Sequence, residues 1–207
     1  MNNYLLGHTK ELAVQTAEQL PPGDRLPSDH PMPHDGPIDS PGAWYGSDLQ
    51  DRSDWKYVLS EQERAELLAA TRAARQRSDN IMDIGKEDFV LPTFAKTIHD
   101  LKQEIMHGRG FVLLRGLPIE GLDFAEIASM YWGLGAHLGQ VISQNSQGDM
   151  LGRVTDMESG KYAKGGYYEE GVRGHRTNAF LAPHSDSADV VGLLCVRPAK
   201  EGGESWI

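Results

Sequence analysis

The pattern of apolar and polar positions along the chain changes character three times. Residues 1–20 hold enough apolar positions for a short helix, and then the pattern dissolves. Seven of the eleven prolines fall between Pro21 and Pro41, mixed with Asp, Ser, Gly and His. Proline removes a backbone donor and blocks helix, so this stretch is expected as an extended arm or linker. His30 and His34 lie in it, with no neighbouring cluster of Cys or carboxylate at ligand spacing, and read as solvated loop histidines.

Helical periodicity follows. Ser60-Glu61-Gln62-Glu63 has the S-x-x-E form of a capping box and opens an alanine- and leucine-rich helix to about Arg77. A second helix is predicted from about Thr93 to His107, with Phe94, Ile98, Leu101 and Ile105 on one face and Gly108 to end it. The apolar run between Gly110 and Gly116 reads as a buried strand. Asp123 and Glu126 repeat the capping pattern before a third helix, with Phe124, Ile127, Tyr131 and Leu134 inward. From about Val141 the texture turns to β, with strands expected at Leu151 to Met157 and Ala188 to Val196.

Helices followed by strands predict an α+β fold, or a β-core with helices packed outside it, with a proline-rich arm at 1–43 and one folded domain at 44–207. The last six residues form a turn entering a strand. A strand left unpaired leaves its backbone groups unsatisfied, so the chain is expected to be the N-terminal part of a longer domain.

Composition narrows the function. Hydrophobic residues make up 39% of the 207, enough for a core, and the formal net charge is −10 with no basic stripe. Phosphate binding needs clustered Lys and Arg, so nucleic acid is set aside as a partner. Cys195 is the one cysteine, which rules out an internal disulfide; its apolar surroundings predict a buried small hydrophobe. The N-terminus lacks the pattern of a signal peptide, and no window approaches the roughly 18 apolar residues of a membrane span, so a cytoplasmic protein without membrane contact is expected.

The chemistry concentrates in the segment from Arg176 to Asp186 (RTNAFLAPHSD). His184 and Asp186 are two residues apart, and in extended backbone such residues point to the same side. One imidazole nitrogen and one carboxylate oxygen can then meet a single metal ion. A more distant His would complete the 2-His-1-carboxylate set that leaves open positions on non-haem Fe(II). A His-x-Asp pair alone is common, and a chance pair in a surface loop is the bland alternative. A zinc hydrolase would also need three ligands, but it would need neither O2 nor a keto acid. Ser185 is flanked by His and Asp but lacks a G-x-S-x-G elbow, which disfavours a serine hydrolase. His175, Arg173 and Arg176 read as ordinary strand or loop residues.

The surrounding motifs change the weight of that pair. Gly110 to Pro118 (GFVLLRGLP), Leu134 to Gly139 (LGAHLG), Gln144-Asn145 with Gly148, Thr177-Asn178, the His-Ser-Asp and Val190 to Pro198 (VVGLLCVRP) stand in the order and spacing of one family. Over roughly residues 44–207 the chain resembles the taurine dioxygenase-like (TauD/TfdA) family of Fe(II)/2-oxoglutarate-dependent oxygenases. The resemblance implies a double-stranded β-helix (jelly roll) with flanking N-terminal helices, here truncated before the second half of its core. It implies Fe(II) as cofactor, held by His184 and Asp186, with 2-oxoglutarate and O2 as co-substrates and a small organic molecule as substrate. Asn178 is expected on the site wall, with Gln144 and Asn145 as further wall candidates. The second His, the Arg that pairs the distal carboxylate of 2-oxoglutarate and its Thr or Ser partner would lie beyond Ile207. A two-ligand site should bind Fe(II) weakly and half a jelly roll leaves its apolar face wet, so this chain alone is expected to be poorly stable and inactive. The competing reading is a non-catalytic jelly-roll remnant that binds a small molecule or a partner. The sequence specifies neither substrate nor oligomeric state.

Overall fold

The structure, a computed structural model, describes residues 36–144, 148–155, 184, 186 and 188–201. Contacts divide the chain between Asp39 and Ser40, and the elements lie in the unit that starts at Ser40. In chain order they are α1 (Gly46–Leu49), β1 (Lys56–Val58), α2 (Glu61–Arg77), a 3-10 turn (Ile81–Asp83), α3 (Phe94–His107), β2 (Leu113–Arg115) and α4 (Phe124–Leu138). The unit is thus a mixture of helix and strand.

The three long helices begin close to where the sequence predicts, α2 and α3 also end there, and two of the three begin for the predicted reason. Ser60 Oγ accepts from the Glu63 N–H at 3.3 Å while the Glu63 carboxylate accepts from the Ser60 N–H at 2.8 Å. Asp123 and Glu126 exchange the same reciprocal pair at 2.8 Å each. Both boxes satisfy donors that a helix start otherwise leaves open. The start of α3 is built differently. Thr93 does not cap with its own side chain; Glu66 reaches across from α2 and accepts from the Thr93 and Phe94 N–H groups, both at 3.0 Å. A carboxylate there also faces the positive end of the helix dipole.

The helices enclose one core. α4 packs against both α2 and α3, and Leu67, Phe89, Phe94, Ile98, Met130 and Leu134 meet inside. Trp132 joins them and still satisfies its indole, donating to the Ile84 carbonyl at 2.8 Å. β1 and β2 pair in parallel with Tyr57 opposite Leu114, and the connection between them carries α2 and α3. A parallel pair needs such a long crossover.

Four expectations need correction. β2 is not buried: Leu113 is 40% exposed and Arg115 is exposed, because among the described residues β1 is its only ladder partner. Phe124 does not face inward. It is the first residue of α4 and 45% exposed, with the Arg153 guanidinium 3.9 Å above its ring. The described parts of the expected strands, 151–155 and 188–196, form no ladder; a strand exists only through a partner, and the one sheet among the described residues is β1–β2. Cys195 is exposed, since its run is only partly covered, with Leu193 78% exposed. No jelly roll is assembled among the described residues. No helix there is long and apolar enough to cross a membrane.

Candidate metal centre

His184 and Asp186 both fall among the described residues, outside helix and strand, and both are exposed. Their donor chemistry, one imidazole nitrogen and one carboxylate oxygen two residues apart, fits two positions of a three-ligand iron site. No group of three or more His, Cys, Asp or Glu gathers as a metal-holding cluster among the described residues. The pair supplies donors of the right kind for two positions of such a site, and no third donor gathers with them among the described residues.

The other predicted site residues divide. Gln144 is described and exposed, and its side chain turns back on its own segment: Nε2 donates to the Ile142 carbonyl at 2.8 Å, and the Gln144 N–H donates to the Asp149 carbonyl at 2.6 Å. Met150, further along the chain, packs against the core. Asn145 and Asn178 lie outside the described residues, as do His175, Arg173 and Arg176.

After the pair, the run from Val190 to Val196 meets the helical layer at Gly192. A β-carbon placed on Gly192 would sit 2.5 Å from the Tyr131 hydroxyl of α4. Burial pushes the Tyr131 phenol up from its ordinary value.

Two further ionic and hydrogen-bonded groups lie elsewhere, and sequence patterns did not reveal their long-range partners. Glu63 is only 6% exposed. Beyond its capping role, it accepts from Tyr57 Oη at 2.7 Å and Thr97 Oγ1 at 3.1 Å, joining β1, α2 and α3. Burial alone pushes the Glu63 carboxyl up, but the bonds from Ser60, Tyr57 and Thr97 outweigh it and hold the group below the ordinary glutamate value. Near α1 a cleft of about 240 Å³ is lined by Trp44, Asp48, Arg52, Glu104 and Arg109 among others. There the Arg52 hydrogen bond holds Asp54 down to about 2, and Arg109 pairs with Asp54 and Glu104, both at 3.0 Å. The cleft contains none of the predicted site residues.

A mixed helix-and-strand unit that offers a His-x-Asp pair to solvent is consistent with the resemblance noted above, and direct comparison establishes it. Residues 71–207 match the Taurine catabolism dioxygenase TauD, TfdA family, and the chain belongs to that family. Among curated proteins it is similar to FR-33289 synthase of Streptomyces rubellomurinus, with 34% identity over 168 residues covering 81% of this chain and 48% of the relative. It is also similar to taurine hydroxylase-like protein SAT17 of Stachybotrys chartarum, with 26% identity over 174 residues covering 83% of this chain and 45% of the relative. The chain thus spans about half the length of these relatives.

Proposed function

We propose that this chain contributes the first two iron ligands, His184 and Asp186, to a cytoplasmic Fe(II)/2-oxoglutarate-dependent dioxygenase that oxidises, by hydroxylation, a small organic substrate. The observation that carries the reading is the family match over residues 71–207, which contains a His-x-Asp pair of the right donor chemistry exposed to solvent. Fe(II) bound there with 2-oxoglutarate supplies the oxidation of a substrate C–H bond by O2, with 2-oxoglutarate leaving as succinate and CO2. The chain's own part is to hold and orient. The His184 imidazole and the Asp186 carboxylate would hold the ion, and Asn178, Gln144 and Asn145 are the candidates for the wall beside the co-substrate or substrate. A jelly roll completed by further β-structure would cover the apolar positions that Val191 and Leu193 leave exposed.

The names FR-33289 synthase and taurine hydroxylase-like protein belong to those relatives; for this chain the substrate class is a small organic molecule. Two measurements test the reading. The intact mass of the native polypeptide comes first: well above 22.8 kDa, it is expected to include the missing His and Arg. The native polypeptide is then assayed for 2-oxoglutarate-dependent O2 uptake and succinate release. His184→Ala and Asp186→Ala are each expected to abolish both. Succinate release that survives either substitution refutes the ligand assignment, and turnover without O2 points to hydrolytic metal chemistry instead. A native mass of 22.8 kDa with no turnover supports the non-catalytic binding protein.

A further inference from the structure

We propose that Tyr131 and Gly192 form a positioning contact that seats the backbone following the His184–Asp186 pair against α4, and thereby sets how tightly the pair holds its ion. The inference rests on the reading of that pair as metal ligands.

Gly192 lies six residues after Asp186 in the same run of chain. Its neighbours Val191 and Leu193 turn to solvent, whereas Gly192 itself lies against the Tyr131 side chain. The space a β-carbon would take is held by the hydroxyl at 2.5 Å, with Cζ at 3.4 Å and Cε2 at 3.9 Å. The first distance is one that real side chains do not adopt, and the other two are ordinary contact or close to it. The fit therefore depends on one oxygen atom meeting one missing methyl group. Gly192 has no left-handed backbone that would itself require glycine, so the constraint is the neighbour and not the conformation. Tyr131 is partly buried on a helix anchored in the core, which makes it the firm side of the contact; the segment with mostly exposed residues is the side that yields. Displacing that segment disturbs the approach of two ligands whose useful geometry tolerates little error.

This argument has a compensating pair built into it. Gly192→Ala places a methyl group against the hydroxyl and pushes the segment away. Tyr131→Phe removes that hydroxyl and leaves Cζ as the nearest atom at 3.4 Å, so the double variant accommodates the methyl. The probe is Mn(II), titrated into the native polypeptide that carries this sequence and followed by loss of the free-ion EPR signal. Amide exchange of residues 188–196 without metal reports the seating directly. Gly192→Ala is expected to weaken Mn(II) binding about ten-fold, as loss of a ligand-orienting contact does, and to speed exchange across 188–196. Tyr131→Phe alone is expected to bind as the parent does, and the double variant to recover most of both signals. Parental Mn(II) affinity in Gly192→Ala, or no rescue in the double variant, overturns the positioning role and leaves the ligand reading intact. Unchanged Mn(II) binding in His184→Ala overturns the ligand reading, and the positioning role with it.

Discussion

Gly133 lies in the middle of α4, where glycine is a poor helix former, and replacing it with alanine should on local grounds stabilise the helix by about 1 kcal/mol. The structure reverses that expectation. A β-carbon at Gly133 would collide with Cγ, Cδ2 and Cε2 of Phe89, the base and one edge of the ring and not a flexible tip. Phe89 is fully buried and has no solvent to retreat into. Its ring also meets His137 edge-on one turn further along α4, and the Phe89 carbonyl is 2.7 Å from His137 Nε2, so backbone and ring are held together. Overpacking a site of this kind costs about 1–3 kcal/mol, more where the backbone must shift. Set against the propensity gain, Gly133→Ala is expected to destabilise by up to about 2 kcal/mol, which lowers Tm by up to roughly 8 °C in a chain of this size. Thermal unfolding followed by circular dichroism, with urea melts as a second probe, reads it. Phe89→Leu removes the ring, so Gly133→Ala made in that background is expected to become neutral or stabilising, a coupling of about 1 kcal/mol or more. A rise in Tm for Gly133→Ala alone would show that the ring does not lie against the helix backbone, and the reasoning would fail.

Two further outcomes are expected. Glu63 and Glu66 both have folded values below the ordinary 4.5, because hydrogen bonds outweigh the opposing effect of burial; the stability they add is complete above pH 4.5 and is lost as pH falls through their depressed folded values. Glu63→Gln and Glu66→Gln should each flatten the fall of Tm in that acid window, and Glu63→Ala should cost about 1–3 kcal/mol at neutral pH by stripping Tyr57 and Thr97 of their acceptor; an acid limb identical to the parent's in both Gln variants contradicts the assignment. Phe124→Ala, at an exposed position that pattern reading had placed inward, should change stability by about 0.5 kcal/mol or less in urea melts, and a loss of the size typical for a core phenylalanine would restore the inward placement.

What could be read from sequence follows the range of the interactions involved. The starts of α2 and α4 were legible because a capping box lies within four consecutive residues, and both boxes form as written. The start of α3 was placed correctly while its cause was not, since Glu66 stands 27 residues before Thr93 and nothing local marks it as a cap. Glu63 showed the same limit: its capping role is local, and its bonds to Tyr57 and Thr97 come from two other elements. The run around Leu113 was recognised as strand, but an apolar run does not say how many neighbours a strand will have, and burial was overstated. For the site, residue type and spacing singled out His184 and Asp186. The contact between Gly192 and Tyr131 joins residues 61 apart, beyond any pattern's reach.

The two tight glycines explain why α4 is apolar on more than one side. Gly133 faces the Phe89 ring in the core, and Tyr131, two residues earlier, faces Gly192. At about 100° per residue, positions two apart point in nearly opposite directions around a helix. α4 therefore meets the core on one side and, at Tyr131, the run that contains Gly192 on the other. That arrangement accounts for a sequence (FAEIASMYWGLGAHL) with no clean polar stripe, and for Phe124, at its first turn, being the large apolar residue that falls outside both contacts. It also separates the two substitutions physically. A methyl at Gly133 pushes on the core, where the resistance is dense packing, and its effect is read as stability. A methyl at Gly192 pushes on a segment with one covered face, and its effect is read as metal affinity and amide exchange, with little change in Tm.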